Sequence, residues 1–97
     1  MTTLHKMTHK EMTAHIRGRI KKAGIKARVK MNQPLKGWPG GITIDTPTFE
    51  AEFTADEARV IAEIAIANGL TKTRGMPIDL EIATMTGNKG QSFEYPA

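Results

Sequence analysis

The run from residue 8 to residue 31 constrains the fold more than any other part of the chain, because it holds a helix start, a helix stop and a change of period. Thr8 followed three residues later by Glu11 is a capping box, in which both side chains bond to free amides at a helix N-terminus. Gly24 stands where a helix stop requires a positive φ. The pattern predicts a helix over residues 9–23 that leads directly into a strand.

The predicted strand spans residues 25–31 and alternates between apolar and basic side chains. Lys26, Arg28 and Lys30 point to one face, because side chains in a strand alternate with a period of two. The helix before it has a narrow apolar stripe, and its other sides are basic. The cations of this helix are Lys10, Arg17, Arg19, Lys21 and Lys22. Such a basic surface is either simply solvated or a binding site for an acidic partner.

Charge is distributed unevenly along the 97 residues. Residues 1–37 contain ten Lys or Arg against one acid, a net charge of +9, whereas residues 38–97 contain four against nine acids, a net charge of −5. This polarity indicates an oriented electrostatic surface, for which nucleic acid or an acidic protein patch is the natural partner.

Two further strands are predicted after a loop. Residues 42–45 and 48–53 alternate in the manner of strands, with Phe49 facing inward and Glu50 and Glu52 facing outward. These two acids would pair with the basic strand if the two strands adjoin. Catalysis by them is not expected, since no nucleophile, His or metal ligand is patterned beside them.

A second capping box, from Thr54 to Glu57, begins a helix that ends near Asn68, before Gly69. Each strand has a single apolar face, and each helix has an apolar stripe that must be buried against it. The sequence therefore predicts one α+β domain over residues 1–97. We expect a three-stranded antiparallel sheet with both helices packed on one face, in the order helix, three strands, helix.

Residues 76–87 fit two structures. Pro77 at a first helical position and Gly87 as a stop favour a short C-terminal helix, which we expect, whereas the alternating apolar residues favour a strand. In the tail that follows, Phe93 and Tyr95 alternate, so the tail either docks as an edge segment or frays.

The loop over residues 32–41 contains Lys36 and the only Trp of the chain. Trp38 either folds back over the edge of the sheet or stays exposed as an interface anchor, and the sequence favours neither. The glycines of this loop do not follow a strand and open a helix, so it is not a phosphate-binding loop.

Residue content disfavours several functional classes. The absence of Cys excludes disulfides and Cys-based zinc sites. His5, His9 and His15 have no acidic ligand cluster near them, so no metal or cofactor is predicted. No Ser-His-Asp, Cys-His or P-loop arrangement is present, so no catalytic residue is predicted and the protein is not expected to be an enzyme. No apolar run has membrane-spanning length and no signal peptide is recognisable, so we expect a soluble cytoplasmic protein.

The predicted order of elements resembles that of the double-stranded RNA-binding domain. Those domains place a Lys-rich motif at the start of their second helix, where this sequence has Thr54-Ala-Asp-Glu57. Acidic side chains at that place repel phosphate, so the sequence departs from the family at the residues that hold RNA.

A second resemblance covers most of the chain. The runs Met12–Val29, Ile42–Phe49 and Phe53–Thr71 are similar to small phage anti-CRISPR proteins that bind a crRNA-guided surveillance complex. The resemblance implies a non-enzymatic inhibitor that docks on this ribonucleoprotein of the host cell, made of guide RNA and protein subunits. Such an inhibitor blocks target DNA from pairing with the guide. We expect it to act as a monomer.

The leading hypothesis is therefore a module that recognises nucleic acid within a protein complex. The alternative is a free-standing RNA- or DNA-binding accessory protein of a phage or plasmid. In both, the binding residues are expected to be Arg17, Arg19, Lys21, Lys22, Lys26, Arg28, Lys30, Lys36 and Trp38. Side chains two apart in a strand stand roughly 7 Å apart, close to the repeat of phosphates along a nucleic-acid strand, so Arg28 is the central candidate.

Overall fold

A computed structural model describes residues 8–73, 75–81 and 89–95. Its elements in chain order are α1 (His9–Lys22), β1 (Arg28–Asn32), β2 (Gly41–Asp45), α2 (Ala55–Ala67), β3 (Lys72–Thr73), β4 (Met76–Pro77) and β5 (Gly90–Glu94). The strands form one antiparallel sheet in the order β1-β2-β5-β3-β4. The α+β class is confirmed. The predicted three-stranded sheet is wrong, because the sheet has five strands and three of them follow α2.

Both helices begin and end where the sequence predicts, within one residue. Thr8 Oγ1 accepts a hydrogen bond from the Glu11 amide over 3.1 Å, and the Glu11 carboxylate accepts one from the Thr8 amide over 2.9 Å. Thr54 and Glu57 form the same box at the start of α2. Gly24, with a φ of +81°, ends α1, and α2 stops in the same manner.

Residues 48–53, predicted as the third strand, form no strand. The chain turns directly after β2, where Pro47 has no amide to donate to a sheet. The Thr46 hydroxyl donates to the Thr48 carbonyl oxygen over 3.0 Å and closes this turn. Phe49, which was expected to face inward, is 94% exposed here. The predicted order of helix, three strands and helix is therefore wrong.

β5 takes the place beside β2 instead. Its register sets Phe93 opposite Ile42 and Gln91 opposite Ile44. The two strands approach closely at Gly41, where an added β-carbon would overlap the carbonyl oxygen of Phe93. The C-terminal tail thus docks, but as an inner strand of the sheet rather than as an edge segment.

One hydrophobic cluster is formed by both helices and one face of the sheet. Its largest fully buried side chains are Ile16, Ile20, Ile42, Ile44, Ile61, Leu70 and Phe93. Ile44 is buried as the alternation predicts, although its neighbours in the sheet are Val29 and Gln91. Among the described residues, no helix has the length and apolar character needed to cross a membrane.

Tyr95, just after β5, contacts α1. Its hydroxyl lies 2.5 Å from the Thr13 hydroxyl and donates to the His9 carbonyl oxygen over 3.3 Å. Its ring stacks on the His9 imidazole with the centroids 3.8 Å apart. Burial raises the pKa of Tyr95, and the hydrogen bond with Thr13 opposes this with a smaller effect.

The segment predicted as a C-terminal helix begins differently. Met76–Pro77 is β4, paired with β3, so the predicted helix start at Pro77 is wrong. Proline is accommodated there because β4 is the last strand in the sheet order. The backbone is helical at residues 80–81, and the rest of the predicted helix lies outside the described residues.

Candidate nucleic-acid interface

The cations of α1 lie on different sides of the helix, because one side is committed to the core. Ile16 and Ile20 are buried. Lys10, Arg17 and Lys21 are all exposed, and their spacing of seven and four residues places them on one stripe beside the buried side. This stripe is the part of α1 that lies next to β1, because Arg17 on the stripe donates a hydrogen bond to a backbone carbonyl of β1.

Two of the predicted binding residues lie elsewhere on α1. Arg19 lines a shallow groove of about 450 Å³ between α1 and α2, together with Glu63 and Ile64. Lys22 is about 140° around the helix axis from Arg17, at 100° per residue. The structure therefore does not bring Arg19 and Lys22 to the side of the helix that faces β1.

β1 begins at Arg28 rather than at residue 25, but the predicted alternation holds from residue 26 onward. Lys26, Arg28 and Lys30 are exposed. The apolar residues between them pack against the core. The three cations therefore form one row on the outer face of the sheet, opposite to the face that the helices cover.

The acidic neighbour of this row differs from the predicted one. Arg28 stands opposite Asp45 of β2 in the antiparallel register. The pairing of Glu50 and Glu52 with the basic strand depended on two adjoining strands, and it does not form because both residues lie in a segment outside the sheet. In the described ranges, the one ion pair is between residues 59 and 63 of α2, so none of the cations of α1 and β1 is paired there.

Arg17 joins the helix stripe to the strand row. Its Nη2 donates to the carbonyl oxygen of Val29 over 2.9 Å. β1 is the first strand in the sheet order, so this carbonyl lies on the edge of β1 away from β2. The guanidinium uses one donor for this contact and has several more. We call the joined surface the basic edge; it consists of Lys10, Arg17, Lys21, Lys26, Arg28 and Lys30.

A row of uncharged polar side chains continues the outer face away from the basic edge. Asn32 Nδ2 donates to Thr43 Oγ1 over 2.7 Å, and the hydroxyls of Thr43 and Ser92 lie 3.1 Å apart. These three residues are not among those predicted to bind a partner. Their positions in the sequence could have indicated that they lie on the outer face of the sheet. Thr43 lies between two buried isoleucines, and Ser92 precedes the buried Phe93.

Lys36 and Trp38 lie in a small hairpin beyond the end of β1. Leu35 and Trp38 exchange two backbone hydrogen bonds of 3.0 and 2.8 Å around the turn, in which Gly37 has a φ of +78°. Lys36 is exposed at this turn. Trp38 is half-buried. Its exposure is thus intermediate between the two alternatives that the sequence left open, a buried and an exposed side chain.

The arrangement is suited to holding an anion. Lys and Arg side chains form charge-assisted hydrogen bonds with phosphate oxygens, and guanidinium groups do so with two donors at once. Within the part of the chain that the structure describes, no group of three or more His, Asp or Glu residues is placed to hold a metal ion. No protein-family model, curated protein or solved structure matches the chain.

Proposed function

We propose that the protein is a non-enzymatic binding module whose basic edge holds the phosphate backbone of nucleic acid within a ribonucleoprotein. The observation that carries this proposal is the contact between Arg17 and Val29, which places cations of α1 and β1 on one continuous surface. Exposed cations on such a surface release counterions when they contact phosphates, and this release drives binding.

The specific form of the proposal is an inhibitor of a crRNA-guided surveillance complex in the cytoplasm of a host cell. The sequence resemblance to phage anti-CRISPR proteins supports this form. In it, the protein docks as a monomer, contacts guide RNA through the basic edge and prevents target DNA from pairing with the guide. Protein subunits of the complex would supply the remaining contacts.

The alternative is a free-standing RNA- or DNA-binding protein. The lack of ion pairs at the basic edge within the described residues favours it, because unpaired cations suffice for binding bare nucleic acid. The two forms differ in what they bind. The inhibitor binds an intact guide complex more tightly than bare nucleic acid at physiological salt, whereas the free-standing protein binds both alike.

The test is the double variant Arg28→Glu with Lys30→Glu, measured for binding to a reconstituted guide complex and to bare nucleic acid. We expect binding to be lost with a nearly unchanged melting temperature, since both side chains are exposed and support no core. Arg19→Glu with Lys22→Glu is the matched control, because it changes the net charge equally but lies away from the basic edge. A folded Arg28 and Lys30 double variant that binds as the parent does would contradict the proposal.

A further inference from the structure

The basic edge consists of two rows of cations rather than one. The row on α1 runs from Lys10 through Arg17 to Lys21, about 16 Å at 1.5 Å per residue. The row at β1 runs from Lys26, two residues before the strand, through Arg28 to Lys30, roughly 13 Å at 3.3 Å per residue. Each row is long enough to follow several phosphates along one backbone of a duplex, which repeat about every 3.4 Å along the helix axis.

The outer edge of β1 lies between the two rows. The row on β1 faces outward from the sheet, and the row on α1 lies on the side of the sheet that the helices cover. Arg17 marks the boundary, since its side chain reaches the edge carbonyl of Val29. Two rows on either side of a ridge match two backbones that flank a groove better than they match a single strand.

The basic edge also lacks a surface on which bases could stack. All five aromatic residues of the chain fall within the described ranges. Phe53, Phe93 and Tyr95 are buried in the core. Phe49 lies in the turn after β2, outside the basic edge and next to Glu50, and Trp38 is half-buried in the hairpin beyond β1. Proteins that hold single strands depend on aromatic stacking in addition to charge.

We propose that the basic edge takes double-stranded nucleic acid, with one row of cations following each backbone across a groove and with no reading of base sequence. This inference rests on the proposed function and names its substrate class. The proposed binding surface lies at α1 and β1 and does not include the start of α2, which is acidic. The shared chemistry is a pair of phosphate backbones, which duplex DNA, duplex RNA and an RNA–DNA hybrid all present.

The experiment measures binding of the full chain by fluorescence anisotropy to duplexes of about 20 base pairs, longer than the roughly four to five that each row spans. The probes are duplex DNA, duplex RNA, the hybrid and each component single strand, in two unrelated base sequences. We expect at least one duplex form to bind roughly tenfold tighter than its strands, with no dependence on base sequence, because stacking contributes little here. The three duplex arms identify which backbone geometry fits.

Three variants test the two-row geometry. Lys10→Ala with Lys21→Ala removes charge from the helix row, and Lys26→Ala with Lys30→Ala removes charge from the strand row. Each pair should reduce the slope of log affinity against log salt by about two, since each lost phosphate contact removes roughly 0.9. Trp38→Ala should leave duplex binding within about twofold, because a stacking residue would cost more.

Equal or tighter binding of single strands would overturn the inference while leaving the proposed function intact. A loss of binding in Trp38→Ala, or an effect from only one of the two rows, would also overturn it. Failure of the parent protein to bind any probe or any guide complex at low salt would contradict the proposed function itself.

Discussion

Ile42 and Phe93 stand opposite each other in the antiparallel register of β2 and β5, and both are almost completely buried. Their contact places the end of the chain in the middle of the sheet. The strand beside β2 is thus supplied by residues far along the chain rather than by those that follow β2 directly. Because the entropy of closing the loop between the two strands is lost before this pairing forms, we expect the long-range pairing to slow folding.

The positions of two phenylalanines provide a direct check on this arrangement. Phe93→Ala removes a core side chain that is 1% exposed, and we expect it to lower the free energy of unfolding by about 3–5 kcal/mol. Phe49→Ala removes a side chain that is 94% exposed, with Lys89 Nζ 5.7 Å from its ring centroid, and should cost less than about 1 kcal/mol. Urea denaturation of both variants measures the difference.

A three-stranded sheet over residues 25–53 would give another result, because Phe49 would then lie in the core. Similar losses of stability in the two variants would therefore contradict the observed strand order. The comparison is matched, since the same side chain is removed at both positions.

Much of the fold is local, and the local part could be predicted. Thr8 with Glu11, and Thr54 with Glu57, define helix starts through contacts within four residues, so the sequence is sufficient to place α1 and α2. The alternation in β1 is likewise local. The cations of the basic edge lie on α1, on β1 and, for Lys26, two residues before β1, so the sequence alone places them on exposed faces.

Strand pairing could not be predicted, because two segments had the same alternating pattern. By period alone, two segments are equally suited to lie beside β2: the one that contains Phe49 and Phe53, and the one that contains Phe93 and Tyr95. The choice depends on the turn at Pro47 and on the close approach at Gly41, and neither is visible as periodicity. Arg17 was selected only for its charge, since its contact with Val29 requires the packing of α1 on β1.

Two glycines should respond in opposite directions to substitution by alanine. A β-carbon on Gly18, in the middle of α1, would meet no atom within 4 Å, so Gly18→Ala should stabilise the protein by about 0.5–1 kcal/mol. A β-carbon on Gly41 would overlap the Phe93 carbonyl oxygen, so Gly41→Ala should destabilise it by roughly 1–3 kcal/mol. Denaturant midpoints decide the signs, and a stabilising Gly41→Ala would show that β2 and β5 are not closely paired.

The hydrogen bond between Arg17 and Val29 should protect the edge of β1. In Arg17→Ala, we expect amide hydrogen exchange to quicken over residues 28–32, at a cost in overall stability below about 1.5 kcal/mol. Lys21→Ala is the control, because it removes a charge from the same stripe without a contact to β1 in the described structure. Equal exchange rates in the two variants would mean that Arg17 does not hold the strand edge in solution.

The buried hydroxyl of Tyr95 predicts a dependence of stability on alkaline pH. Burial raises the pKa of Tyr95 in the folded state above the value of about 10 expected in the unfolded chain, so folding favours the neutral phenol. The contribution of this neutral hydroxyl is fully present below about pH 10 and is lost as the pH rises through the raised pKa of the folded state.

The variant Tyr95→Phe isolates this effect from the titration of the lysines, which both proteins share. Near neutral pH the variant should be less stable by about 0.5–1.5 kcal/mol, because it lacks the hydrogen bonds to Thr13 and His9 while keeping the buried ring. As the pH rises above about 10, the gap between the melting temperatures of parent and variant should narrow as the parent loses the contribution of its neutral phenol. A gap that stays constant over this range would show that the Tyr95 hydroxyl is not buried against α1.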